Sequence, residues 1–310
     1  MDSKVHSVEG LMQGATSMAC CRHIHTVAPI YRHIALSRLA YERLERKAKD
    51  TMRSFKECNE SWNETFHTIL LGVIGGISNR APMLQLARRV TNNMLMRENS
   101  SIVNLEAMLL GGSGLLDLYG DDDYLRLLRQ EFGHLSTKYG IKPMSPGEWH
   151  LMGIYPHNHP TLRLTQLASC ILNSDFTMHS ALKCKTQKDV YNYFCGTTSD
   201  YWLENFIPSN NHLVTNYRMG HLKSDLLGIN LIAPMMYTYG IYTHTDAYLN
   251  QAVELQESIT GENNRYTKPW IEAGFELHNA FESQALIQLT KEYCSKRRCR
   301  ECHLARYLVK

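Results

Sequence analysis

Between Tyr31 and Lys56 the residues Ile34, Leu36, Leu39, Ala40 and Leu44 fall on one stripe of a helix, while Glu42/Arg46 and Glu45/Lys49 stand one turn apart on the opposite side. A pattern of this length commits the chain to helix and makes the charged side the expected solvated face. The same period returns along the chain. Asn59-Glu60-Ser61 caps a second helix carrying Trp62, Phe66, Ile69 and Leu70, and a further helix follows Pro82. Helices are expected over Ile102–Leu110, from Asp121-Asp122-Asp123 to Lys138, over Thr161–Leu172, Asp246–Glu257 and Asn279–Cys294, with short ones at Phe176–Ala181 and Lys188–Phe194. His221–Tyr239 reads as a buried helix kinked at Pro234. No sustained two-residue alternation, no Asn-Gly or Asp-Gly hairpin and no internal repeat competes with this pattern. The expected fold class is therefore all-α: an irregular, orthogonally packed multi-helix array with few or no strands. Residues 1–28 read as a loose leader, and residues 29–310 as a single helical domain ending in a cysteine-rich basic hook.

That hook, Glu292 to Lys310, holds the densest chemistry in the chain. Cys294, Cys299 and Cys302 follow a C-x4-C-x2-C spacing threaded with Lys296, Arg297, Arg298 and Arg300. Two residues between Cys299 and Cys302 let the chain turn and aim both sulfurs at one point. The positive neighbours favour thiolates. Zinc or an iron–sulfur cluster is the expected cofactor, and either usually takes four protein ligands. The fourth comes from His303 or from elsewhere. Cys21, His23 and His25 alternate, which in an extended segment places them on one face; a metal site and a plain surface segment explain that equally.

Other chemistry is thin. Gly72-x-x-Gly75-Gly76 has no preceding strand and the wrong spacing for a dinucleotide site. Gly111-Gly112-Ser113-Gly114 is neither a phosphate loop nor a nucleophile elbow, and reads as a close helix approach or a turn. His157 and His159 in a Pro-bounded loop offer two ligands at most. Gln284 and Gln288, one turn apart, read as a hydrogen-bonded polar seam between helices. No catalytic motif is found, so the chain is not expected to be an enzyme on its own. With 44% hydrophobic and 20% charged residues a globular core is expected, and a net charge of +3 restricts any nucleic-acid field to a local patch. Ile69–Ile77 and Leu226–Tyr242 are too short or too interrupted to span a bilayer, so no membrane association is expected. Met1–Ala19 lacks an apolar run behind a basic start, and nine cysteines form an odd set, so a reducing, cytoplasmic setting is expected.

The order of these patterns resembles the uncharacterised bacterial domain-of-unknown-function 2851 family. The resemblance is carried by Trp62-x-Glu64-Thr65-Phe66, by Leu105 to Gly111 with Gly114-Leu115-Leu116, and by Pro160 to Ala168. It continues with Pro234 through Gly240 and with Asn279 to Leu289 leading into Tyr293-Cys294. It implies a cysteine just ahead of the first long helix, where this chain has Cys21, and so nominates Cys21 as the fourth ligand beside Cys294, Cys299 and Cys302. It also implies a longer, β-rich N-terminal segment, similar to a restriction-nuclease metal core, that this chain begins after. Gly153 and Tyr155 stand where the family tends to carry arginines, and Ala305 where it carries a glycine; these departures weaken an anion-binding role for the middle loop.

Three functional readings follow. The first is a metal- or cluster-bound helical module associated with nucleic acid through Lys296, Arg297, Arg298 and Arg300, with phosphate contacts that position rather than read sequence. The second is a helical scaffold that binds another protein and holds a purely structural zinc. The third is the remnant of a nuclease-like protein without its catalytic part. A hydrolase built on His157 and His159 is the least supported.

Overall fold

The computed structural model describes residues 20–172, 175–196, 198–207 and 218–308, so most of the expected leader lies outside the described residues. Helix α1 spans Pro29–Glu57, α2 Trp62–Ile74, α3 Arg80–Arg89, α4 Asn92–Arg97, α5 Ile102–Glu106 and α6 Asp123–Tyr139. They are followed by α7 Pro160–Leu172, α8 Met178–Ala181, α9 Gln187–Tyr193, α10 Tyr201–Asn205 and α11 His221–Leu227. The chain closes with α12 Ala233–Thr243, α13 Asp246–Ser258, α14 Lys268–Glu272, α15 Ala280–Gln288 and α16 Ala305–Leu308. Among the described residues there is no β-strand, so the class is all-α.

The chain gathers into two compact units, one formed by residues 1–50 with 236–310 and the other by residues 51–235. The sequence reading of one domain over 29–310 carried no such division.

In the first unit, Leu36, Leu39, Ala40 and Leu44 of α1 are buried as the stripe requires, whereas Ile34 is 47% exposed. The charged side of α1 is solvated only in part: Glu45 and Lys49 are exposed as their spacing suggests, whereas Arg43, Arg46 and Lys47 turn to α15. Arg43 is only 8% exposed, and its Nε donates to Gln284 Oε1 on α15. Lys47 Nζ donates to the same oxygen at 3.1 Å, and Arg46 reaches Gln288. The amide of Gln284 in turn donates to Glu262. The two glutamines thus form the polar seam expected of them, and they do so against the cations of α1. Trp270 of α14, fully buried, donates its indole N–H to Thr290 Oγ1 at 3.0 Å and fixes the run below α15.

In the second unit, α2 lies on α3, and α5 continues into a widened π turn, Ala107–Gly111, that packs against α6 and α7. Gly111 is there because the Phe132 ring of α6 sits where its Cβ would be, 2.2 Å away. Gly114 takes φ +72 and faces the Met144 carbonyl, so the glycine cluster is both the close approach and the turn that the sequence offered as alternatives. The helix over His221–Tyr239 is interrupted as expected, but by a π turn at Gly228–Ile232 placed before Pro234. A proline lacks the N–H for the preceding turn and crowds its carbonyl, and widening the turn relieves both. Asn230 Nδ2 then donates to the Leu226 carbonyl at 3.0 Å.

Candidate metal centre

The hook is built from a continuing helix, one tight reversal and a 3-10 turn. Asn279 caps α15 by accepting from Glu282 N–H at 3.0 Å, and the helix runs on into a π turn, Leu289–Cys294, that delivers a buried Cys294. The chain then turns back through Arg297, whose φ of 52° is a left-handed conformation costly for a residue with a Cβ. Hydrogen bonds from Arg297 N–H to Cys294 O at 3.1 Å and from Arg298 N–H to Tyr293 O at 2.9 Å hold that reversal. A 3-10 turn, Cys299–Glu301, follows and places Cys302 at its end, 3% exposed.

The sulfur chemistry reaches beyond the hook. At the other end of the sequence Cys20 caps a 3-10 turn, Cys21–Thr26, that packs on α14 and α16. Its thiol lies beside that of Cys294. The Cys294 thiol holds the Cys20 thiol below its ordinary range, while Cys20 and then burial hold the Cys294 thiol above its own. Cys299 and Cys302 lie close enough that Cys20 raises both, although burial is the larger cause at each. Burial pushes the Cys302 thiol up to about 11, against the backbone N–H groups of Ala305 and Leu304, which favour its thiolate. Cys20, Cys294, Cys299 and Cys302 therefore sense one another as a group.

Cys21, the residue that the family resemblance nominated, is the half-buried neighbour of Cys20 in the 3-10 turn. The segment is coiled rather than extended, so the alternation of Cys21, His23 and His25 does not set them on one strand face. His303, the nearby alternative ligand, is already engaged, with Nε2 3.1 Å from Glu42 Oε1 on α1. Among the described residues no group of three or more His, Cys, Asp or Glu side chains is arranged to hold a metal ion. Both facts describe one arrangement. The thiols lie near enough to feel one another's charge, but they do not form a closed polyhedron.

The four cations of the hook are not equivalent. Lys296 pairs with Glu292 at 2.5 Å, and Arg298 pairs with Glu301 while its guanidinium lies 5.3 Å from the Tyr293 ring centroid. Arg297 is near enough to Cys299 to favour its thiolate. The other histidine pair is split. His159 is 4% exposed, with burial holding its pKa near 4, whereas His157 lines an open cavity. They do not act as a ligand pair.

Two features escape sequence reading. Cys20 carries no mark that separates it from Cys21, because only the handedness of the turn decides which sulfur faces Cys294. Glu106, fully buried, accepts from Tyr124 Oη at 2.7 Å, Trp202 Nε1 at 2.6 Å and Ser199 Oγ at 2.8 Å. Its sequence signal was a carboxylate inside the apolar run Leu105–Leu110.

A family model described as a protein of unknown function, DUF2851, matches residues 1–265. The matched span stops before α15 and the three C-terminal cysteines. No curated protein and no solved structure matches this chain.

Proposed function

This chain belongs to the DUF2851 family of proteins of unknown function, and from its own residues we propose that it is a metal-clasped helical module that associates with nucleic acid. The observation that carries the proposal is the meeting of Cys20 with Cys294, beside Cys299 and Cys302, from opposite ends of the sequence. Thiols brought together this way offer the donor set of a structural zinc or an iron–sulfur cluster. Rotation about the cysteine side-chain bonds would close the sulfurs on an ion, and binding would release protons from the thiols. The ion would tie the first turn to the hook.

Nucleic acid is the ligand that the cations of the hook suit best. Lys296, Arg297, Arg298 and Arg300 fall within five positions. The surface ion pairs of Lys296 and Arg298 are weak because solvent screens them, so phosphates can replace Glu292 and Glu301 as their partners. The nearness of Arg297 to Cys299 also suits a second reading, a scaffold with a purely structural zinc. A dication held by four thiolates leaves a net dianion, and the same cations would then serve to neutralise it.

Anaerobic purification with metal analysis and a visible spectrum tests the clasp: a brown protein means a cluster, and a colourless one with stoichiometric zinc means a structural ion. Neither metal nor colour would sink it. Binding of fluorescent DNA and RNA over a salt series tests the ligand. The expected result is affinity that falls with salt, with a shallower slope in the Arg297→Ala/Arg298→Ala/Arg300→Ala variant. No binding at low salt leaves the scaffold.

A further inference from the structure

The second unit holds a cavity of about 750 Å³ whose polar wall is cationic. Arg163 of α7 and Lys223 of α11 both line it, 6% and 9% exposed, and neither has a carboxylate partner among the described residues. Arg163 is held by neutral oxygens: Gln166 Oε1 accepts from Nη1 at 2.9 Å and Asn158 Oδ1 from Nη2 at 3.3 Å. Its buried Nε has no hydrogen-bond partner among the described residues. Lys223 Nζ donates to the Ile74 carbonyl at 3.0 Å and has further N–H groups to give. Arg218 adds a third, exposed cation to the lining.

Burying two cations side by side without an anion is costly. Burial lowers the pKa of Arg163 to about 10, and burial together with the Arg163 charge lowers that of Lys223 to about 8. The residue types between 208 and 217 that adjoin Arg218 in sequence include no Asp or Glu. A pre-oriented guanidinium, an under-used ammonium and an open volume are the components of an oxyanion site.

We propose that this cavity binds the terminal phosphate of an organic phosphomonoester, gripped by Arg163 and Lys223. Phosphate suits the site better than carboxylate, because nearly two negative charges answer two buried cations and several oxygens reach donors on both walls. The volume lies within the range of small-molecule sites and far exceeds one phosphate, and Ile74, Leu162 and Leu226 give an apolar wall for the organic body. The phosphate has two possible carriers, a free small ester or the 5′ end of a nucleic-acid strand. The site lies within residues 51–235 and does not depend on the metal clasp.

Calorimetry on the full chain decides, using inorganic phosphate, adenosine 5′-monophosphate, glucose 6-phosphate and a 5′-phosphorylated oligonucleotide, each organic ligand beside its unphosphorylated counterpart. Phosphorylated ligands are expected to bind and their counterparts not, with affinity falling about ten- to a hundredfold in Lys223→Met and in Arg163→Gln. Binding confined to the oligonucleotide assigns the carrier as a strand end; binding of the small esters assigns it as a metabolite. Lys223→Met removes a buried charge at similar length, so it is expected to melt no lower than the wild type and to report even if Arg163→Gln fails to fold. The proposal is overturned if no phosphorylated ligand binds better than its counterpart, or if Lys223→Met binds as the wild type does.

Discussion

His303 Nε2 lies 3.1 Å from Glu42 Oε1, and the same carboxylate accepts from Tyr293 Oη at 2.8 Å. One residue of α1 thereby anchors the hook on both sides of its cysteine run, and Nε2 of His303 is taken by that carboxylate. His303→Gln is therefore expected to leave bound metal unchanged while lowering stability by about 1 kcal/mol. Metal analysis of the purified variant checks this; loss of one equivalent would make His303 a ligand after all.

Cys20 and Cys21 should behave differently. Cys20→Ser is expected to abolish stoichiometric metal and lower the melting temperature, because it removes the sulfur that meets Cys294. Cys21→Ser should keep both. The reverse pattern would restore Cys21 as the fourth ligand, and equal effects would mean that neither sulfur is specific. Chelation of the wild-type protein should reproduce the Cys20→Ser melting curve.

Glu106 is a buried carboxylate with three donors and, among the described residues, no cation partner, and burial raises its pKa against the hydrogen bonds of Tyr124, Trp202 and Ser199. Glu106→Ala strands those donors and is expected to cost on the order of 3 kcal/mol. Its pH dependence has a definite sign. With the folded value above the unfolded one, the folded state holds more protons between them. The contribution to stability is complete below the ordinary glutamate value of 4.5 and is lost as pH rises through the raised one. Denaturant midpoints of the wild type and Glu106→Gln should therefore differ in slope across that interval. Parallel curves would show that the carboxyl titrates normally.

Lys223 has the opposite linkage. Burial first, and Arg163 second, lower it from 10.5 to about 8. The unfolded chain then holds more protons between those values, so stability is greatest above 10.5 and falls as pH drops to about 8, by on the order of 3 kcal/mol. Lys223→Met should remove that slope. A wild-type midpoint that does not rise over this interval would mean that the ammonium is solvated.

The all-α class was legible because α1, α6 and α13 carry their apolar residues at helical spacing, and nothing in the chain alternates like a strand. The caps were legible too, since Ser61 and Asn279 stand where a side-chain oxygen can accept from the third residue onward. Part of the charged side of α1, Glu42 and Arg46 but not the exposed Glu45 and Lys49, was misread because sequence records charge and not what faces it. Glu42/Arg46 has the spacing of a solvated pair, yet Glu42 turns to Tyr293 and His303 and Arg46 to Gln288. Arg163 and Gln166 stand three residues apart on α7, but nothing local distinguishes a guanidinium facing solvent from one held in a cavity.

Local periodicity, capping and the C-x4-C-x2-C spacing by themselves determined that this chain is helical and that its hook concentrates thiols among cations. Those features depend on neighbours within a turn or two, and a sequence displays such neighbours directly. Which sulfur meets Cys294, which carboxylate holds His303 and which cations lack an anion were decided only by the tertiary structure. Each depends on packing between segments remote in sequence, where one residue's rotation in a turn exchanges Cys20 for Cys21.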